Sequence, residues 1–370
     1  MDDKRFWVGF NLVRGVGAVR LKALIDHFGD AGSAWQGTLE ELRVAGLGSK
    51  VVERLLEVRK DVDLDKLWEK ITAQGIQILT WDDEAYPPRL KEIEHPPPVL
   101  YIRGELLPED QFAVAIVGTR RATSYGRQIT EDLSMFLAAN GITVISGLAR
   151  GIDAIAHSAT LKAGGRTVAV LGSGVDRIYP SEHRDLAEKV MARGALISDY
   201  PVGTPPDSSN FPPRNRIISG LSLAVIVIEA GETSGALITA EFAAEQGREV
   251  FAVPGSVLAP QSKGTNKLIQ NGALPLLTSQ DLMQALNLTR VVEQKAARKI
   301  LPVDEVEARV LKALGNEPLH VDELRNQTGL PVEKVSAALV MMELKGLVRQ
   351  VGGMQYVVVR EVQSGYLTKE

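Results

Sequence analysis

Cysteine is absent from the 370-residue sequence and histidine occurs only five times. Disulfides, thiolate zinc sites and cysteine nucleophiles are thereby excluded. Little material remains for a histidine metal centre, so no metal ligand, catalytic residue or cofactor is assigned. An excess of one charge is also missing. With 42 basic and 46 acidic residues the net charge is −4, so the molecule as a whole is not a polybasic nucleic-acid binder. Long apolar runs are lacking as well. The stretch Leu133–Ala149 is uncharged, but Asn140, Gly141 and Ser146 interrupt it, and it falls short of the ~18–20 apolar residues of a membrane span. The opening MDDKRFWVGF is acidic and holds no apolar core before a small-residue cleavage site. The expectation is a cytoplasmic protein with no membrane partner.

What is present divides the chain by pattern. Residues 1–72 read as short helices broken by Gly-x-Gly, and 73–288 alternate β-branched apolar runs with Ala-rich amphipathic segments. A charged linker is expected over 289–302, and helical stretches followed by a β-rich end over 303–370. In the middle region AVAIVG (113–118), ITVISG (142–147), TVAVLG (167–172), ALISDY (195–200), LAVIVIEA (223–230) and EVFAVPG (249–255) lack polar alternation. Strands of that kind are buried on both faces. With helical patterns between them they predict βαβ units, right-handed crossovers and a Rossmann-like, doubly wound, mostly parallel sheet in the α/β class. A smaller extended unit, IQILTW (76–81) and HPPPVLYIRG (95–104), precedes it. Its prolines suit edges and turns.

In such a sheet, ligands sit beyond the carboxyl ends of the strands. Three glycine-rich turns fall there: Gly118-Thr119-Arg120-Arg121, Gly147-Leu148-Ala149-Arg150-Gly151, and Gly172-Ser173-Gly174. Glycine lets the backbone approach a ligand and present its N–H groups, and the following helix N-terminus favours anions. None of the turns is G-x-G-x-x-G. The first carries two arginines, whose forks match phosphate oxygens. The alternative is a set of tight turns with surface ion pairs. The segment Asn210-Phe211-Pro212-Pro213-Arg214-Asn215-Arg216 holds two arginines, an amide and an aromatic that could bind phosphates and stack a base on Phe211; Tyr125, after the first turn, is the other candidate for stacking. Equally, Phe211 could be a core anchor and the arginines could pair with acids such as Glu229. Ser234-Gly235 and Lys263-Gly264 open further helices in the same style. Residues 111–220 hold 12 basic and 9 acidic residues, so a basic face on an acidic protein can focus a phosphate chain. His157 lies on the helical pattern IDAIAHSATL and reads as a packed residue rather than a base.

Gly15-Val16-Gly17 and Gly46-Leu47-Gly48 each open a helix, the pattern of tandem helix–hairpin–helix units. Their N–H groups can grip a phosphate backbone, or the glycines can serve packing alone. At the other end, DEVEARVLKALG, VDELRNQTG and PVEKVSAALVMMELKG precede LVRQVGGMQYVVV, with Gly352-Gly353 as the hairpin turn. That is a winged-helix pattern. Its third helix has balanced charge, which favours a protein-contact or vestigial role over groove reading.

VGTRRATSYG, SGLARGIDAIAH, AVLGSGVDRIYP, NFPPRNRIISGLS, SGALITAEFA and VFAVPG…KGTNKLIQNGA, in this order, resemble the DNA-processing protein A (DprA/Smf) family. YPPRLKEIEHPPPVLYIRG fits its lead-in. The resemblance implies a Rossmann-like single-stranded DNA binder between a helix–hairpin–helix/SAM-like N-terminal domain and a winged-helix C-terminal domain. It implies no known catalysis. It implies protection of incoming DNA in natural transformation, loading of the RecA recombinase, and frequent homodimerisation, with contacts near 237–246 and 264–272. Carried over, Arg120 is a phosphate contact, and Phe211, Arg214, Asn215 and Arg216 lie in the same pocket. Where some members have lysines, this sequence has Ser181 and Ser208-Ser209. The rival from another class is a nucleotide-processing enzyme of the lysine-decarboxylase-like phosphoribohydrolase type. Its P-G-G-x-G-T-x-x-E turn would correspond to the place that reads Glu229-Ala-Gly-Glu-Thr-Ser-Gly here.

Overall fold

The computed structural model describes residues 3–288, 305–314, 318–344 and 347–358. The linker expected at 289–302 lies outside the described residues. The chain divides into two units, Met1–Leu282 and Met283–Glu370.

The first unit opens with six helices: α1 (Lys4–Leu12), α2 (Ala18–Phe28), α3 (Ala31–Gln36), α4 (Leu39–Val44), α5 (Ser49–Asp61) and α6 (Leu64–Ala73). Local chemistry starts several of them. Thr38 and Glu41 form a capping box at α4, and the Asp63 carboxylate accepts from two amides at the start of α6. The two Gly-x-Gly motifs are the α1–α2 and α4–α5 turns. Gly15 (φ +108°) and Gly46 (φ +96°) adopt the left-handed backbone that the turns require. Arg54 of α5 donates to the carbonyl of Arg14, holding one hairpin to the other. The core under these helices continues into Ile78, Val99, Tyr101 and Val175, so they pack on the sheet.

That sheet has nine strands: β1 (Gln77–Thr80), β2 (Val99–Gly104), β3 (Ala113–Val117), β4 (Thr143–Ser146), β5 (Thr167–Val170), β6 (Ala195–Ser198), β7 (Ala224–Val227), β8 (Glu249–Ala252) and β9 (Leu274–Pro275). Their order is β1-β2-β6-β5-β4-β3-β7-β8-β9. The six expected apolar runs are all strands, and all pair in parallel. Alternate residues explain why they carry no polar face. Val168 and Val170 enter one core while Ala169 and Leu171 enter the other. The lead-in is not a separate unit. Strand β2 pairs antiparallel with β6 and β1 with β2, extending the same sheet. The cause is the VLYI of β2, which is buried and needs a paired neighbour.

One helical layer holds α8 (Ser124–Ala139), α9 (Ile152–Lys162) and α10 (Arg184–Arg193), following α7 (Pro88–Lys91) in the chain. The other holds α11 (Phe211–Gly220) and α12 (Gly235–Glu245), whose Ile217, Ile218, Ala236 and Ala240 share a core with β3, β5 and β7. The chain then adds α13 (Lys263–Gln270) and α14 (Ser279–Ala285). The strands run outward from β3 to β6 and then restart at β7 on its other side. The switch point therefore lies between β3 and β7.

His157, on α9, is fully buried. Its Nδ1 lies 2.6 Å from Thr167 Oγ1, whose hydroxyl donates to Val144 O, so Nδ1 carries the proton. Nε2 is buried with no hydrogen-bond partner among the described residues. Burial pushes the pKa down to about 3, aided by the neighbouring His183 and Arg214. The unfolded value is about 6.5, so the unfolded chain takes up the proton first. Stability from this site is complete above about pH 6.5 and falls as the pH drops towards 3, by up to ~1.4 kcal/mol per pH unit. His157→Gln should flatten the acid side of a melting-temperature profile between pH 6.5 and 4, and an unchanged slope would refute the assignment.

The second unit contains α15 (Glu305–Ala313), α16 (Val321–Thr328) and α17 (Val332–Leu344). With them comes a three-stranded sheet in the order β10 (Leu319–His320), β12 (Gln355–Val358), β11 (Val348–Gly352). The hairpin turn is Gly353-Met354, both with positive φ, one residue beyond the expected Gly352-Gly353. Gly352 remains in β11, where a register shift bends the ladder. Among the described residues no helix is long and apolar enough to cross a membrane.

Candidate functional site

A cavity of about 730 Å³ opens at the switch point, over the carboxyl ends of β3 and β7. Nine of the expected residues line it: Gly118, Thr119, Arg120, Arg121, Phe211, Arg214, Asn215, Ser234 and Gly235. Elements far apart in sequence supply them. The β3–α8 turn gives the two arginines, α11 gives the aromatic and the amide, and the start of α12 gives the small hydroxyl residues.

The β3–α8 turn is held from below. Thr119 N–H donates to Glu229 O at 2.7 Å, and the Glu229 carboxylate accepts from Thr123 N–H and hydroxyl. A Cβ at Gly126 would lie 2.2 Å from Glu229 Oε2, so glycine is required there. Glu229 is therefore buried beneath the turn and pairs with neither Arg214 nor Arg216. Arg120 and Arg121 are exposed, and among the described residues neither has a carboxylate within ion-pair distance. The Arg120 guanidinium lies 5.8 Å from the centre of the Phe211 ring. These are cations with free donors at the mouth of a cavity, the arrangement that suits an anion.

Arg214 behaves differently. It is 5% exposed and donates to the carbonyls of Gly147 and Val170, bridging the ends of β4 and β5. Asp153 lies beside it and accepts from the N–H groups of Gly147 and Ala149 at 3.1 and 3.3 Å. Burial pulls the Arg214 pKa down to about 10 against the opposing charge of Asp153, so it stays a cation at neutral pH. Burial raises the pKa of Asp153, with Arg214 opposing the shift. A Cβ at Gly147 would meet both Arg214 and Asp153 at 2.9 Å. This glycine thus makes room for both buried side chains, and its own N–H is occupied. Arg214 frames the cavity floor and reaches it only by its edge.

Seven expected residues fall outside the cavity lining, each with a local cause. Gly172 leaves space for Phe211, whose ring would lie 2.6 Å from a Cβ there. Ser173 donates to Arg177 O, and Gly174 N–H to Thr204 O, so the third turn is closed on itself. Gly151 backs against Thr119 and Arg120 (a Cβ would sit 2.3 Å from Thr119 O). Arg216 turns away, pairing with Asp199 at 2.9 Å and donating to His95 O. Lys263 lies 3.7 Å from Glu232 and lines a different cavity. Gly147 touches only a small recess beside Arg120, Phe211 and Arg214. Tyr125 is also outside, its hydroxyl donating to Pro254 O.

The aromatic that does stand at the site is Tyr179, 41% exposed and stacked on Phe211 at 5.7 Å with a 24° interplanar angle. Sequence reasoning passed over it, although the strand-end segment GVDRIYP placed it at the correct edge. Asp153, Thr233 and Thr239 also line the cavity without having been expected there. The Ser234 side chain caps α12, whose N-terminus opens onto the same space. The site can thus take a phosphate against Arg120, Arg121 and a helix N-terminus, with Tyr179 and Phe211 as an apolar platform. Among the described residues no cluster of three or more His, Asp or Glu could hold a metal.

Comparison with known proteins places the fold in a family. The profile of the family described as DNA recombination-mediator protein A matches residues 77–287, and that of the DprA winged helix domain matches 294–354. Protein Smf of Synechocystis is 39% identical, the alignment covering 96% of this chain and 98% of that protein. The crystal structure of DNA processing protein A from Streptococcus pneumoniae is similar at a TM-score of 0.66 and 33% identity, covering 76% of this chain and 97% of that one. A structure of DNA processing protein A from Helicobacter pylori, described as giving insight into its single-stranded DNA binding mode, is similar at a TM-score of 0.52 and 31% identity. It covers 57% of this chain and 95% of that one. Matched over more than half its length by the family profile, this chain belongs to the DNA recombination-mediator protein A (DprA/Smf) family, with its DNA-processing role and its winged-helix C-terminal domain.

Proposed function

We propose that the protein binds single-stranded DNA in the switch-point cavity and acts, without catalysis of its own, as a mediator that protects the strand and helps load RecA on it during natural transformation. The observation that carries this reading is the pair of exposed, unpaired arginines, Arg120 and Arg121, beside the stacked Tyr179 and Phe211. Cations that track phosphates and aromatics that accept any base are what sequence-independent single-strand binding needs. The relative from Helicobacter pylori, whose structure is described by its single-stranded DNA binding mode, supports it. Action in the cytoplasm as a homodimer belongs to the same reading, with contacts through α12 and α13.

The test is a titration of a fluorescent single-stranded oligonucleotide and its duplex at two salt concentrations. The single strand should bind more tightly, and its affinity should fall as salt rises. Absence of binding at low salt, together with hydrolysis of a nucleoside monophosphate, would overturn the reading in favour of a nucleotide-processing enzyme.

A further inference from the structure

A groove of about 460 Å³ runs between α8 and α9. One wall is the stripe Arg127, Glu131 and Met135, spaced four residues apart along α8. The opposite wall and floor are Gly151, Ala154, Ile155, Ser158 and Ala159, ending at Lys162 on the last turn of α9. Both helices begin at the carboxyl ends of their strands, so one end of the groove lies at the edge of the switch-point cavity. Gly151, which lines the groove, packs directly on Thr119 and Arg120, which line the cavity. From Gly151 to Lys162 the groove spans about 16 Å at 1.5 Å per residue.

Its chemistry is uneven in an informative way. Apart from Ile155, the α9 side of the groove is made of small side chains, which let a chain lie close. Met135 is 42% exposed, offering an apolar contact to a sugar or base edge. Arg127 stands at the cavity end, held only by a 3.9 Å contact with Glu131 that leaves its guanidinium largely in solvent. Lys162 stands at the far end with no carboxylate in ion-pair distance among the described residues. Together with Arg120 and Arg121 these residues make a line of four cations from the cavity mouth along the two helices. A packing groove has no need of cations at both ends, whereas a phosphate chain does.

We propose that the α8–α9 groove continues the DNA path, taking the backbone of nucleotides that extend beyond the cavity. The proposal rests on the single-strand reading of the cavity. The cavity then sets binding of a short strand, and the groove adds affinity only for strands long enough to reach it.

Fluorescence anisotropy with oligothymidylates of about five and about twenty nucleotides, at several salt concentrations, separates the two. Arg127→Ala combined with Lys162→Ala should leave the short strand unaffected. It should weaken the long one about tenfold and lower its salt slope by about 1.4, the contribution of two single-strand phosphates. Ser158→Glu, at an exposed position that the fold does not need, should produce a similar length-dependent loss by placing a negative charge in the groove. Unchanged affinity for the long strand in both variants would overturn the proposal. So would an equal loss at both lengths, which would place the two cations in the cavity. Failure of the unaltered protein to bind either strand would instead bring down the cavity reading, and the groove with it.

Discussion

Arg120→Ala combined with Arg121→Ala is expected to reduce single-strand affinity by about 100-fold at low salt and to lower the salt slope by about 1.4. The magnitude follows from two charge-assisted phosphate contacts, each worth roughly 1.5–3 kcal/mol before solvent screening. Stability should hardly move. Both side chains are exposed, among the described residues neither forms an ion pair, and the one ring contact, Arg120 over Phe211, lies at the surface, so a change beyond ~0.5 kcal/mol is not expected. The combination of lost binding with an unchanged melting temperature distinguishes a ligand contact from a structural one. Normal affinity in the double variant would remove these arginines from the site.

The second large effect has the opposite signature. Arg214→Ala should destabilise the protein by about 3–5 kcal/mol, a fall in melting temperature on the order of 10 °C. The substitution strips two strand-end carbonyls of their donor and leaves the Asp153 carboxylate buried beside a void. Arg214→Lys should recover only part of the loss, because a single ammonium cannot span the carbonyls of Gly147 and Val170 as a guanidinium does. Asp153→Asn in the Arg214→Ala background should restore stability relative to Arg214→Ala alone, and thermal melts of the four proteins of that cycle measure the coupling. If Arg214→Ala melted like the unaltered protein while losing DNA, Arg214 would be a ligand contact instead. The sequence motif Pro-Pro-Arg-Asn-Arg therefore holds three different jobs within three residues. Arg214 braces the floor, Asn215 ties α11 to Gly235 O, and Arg216 anchors the far side of the helix to Asp199.

Much of this protein is legible in its sequence. All six apolar runs are parallel strands; five are buried along their whole length, which leaves no polar alternation to read, while β8 starts exposed at Glu249. The edge at which ligands collect follows from the same strands, since the glycine and arginine turns sit at their carboxyl ends. The two-arginine turn and the start of α12 could be placed there from their positions after strands, whereas for Phe211 the residues left a core anchor open and the family resemblance implied the pocket. Residue order along the chain carries that information because it is local: a strand, its turn and the next helix are neighbours.

Which groups at that edge face the cavity was decided only by the tertiary structure. Arg120, Arg214 and Arg216 are alike in a sequence. One is left in solvent, one is drawn under Asp153 and two carbonyls, and one is captured by an acid on another strand's loop. Tyr179 reaches Phe211 across 32 positions, and the lead-in strand β2 finds its partner in β6 rather than in a sheet of its own. These outcomes depend on which buried charge meets a partner and which apolar strand meets an open edge. Both are set by long-range packing, where the cost of an unpaired buried group outweighs any preference of the residue itself.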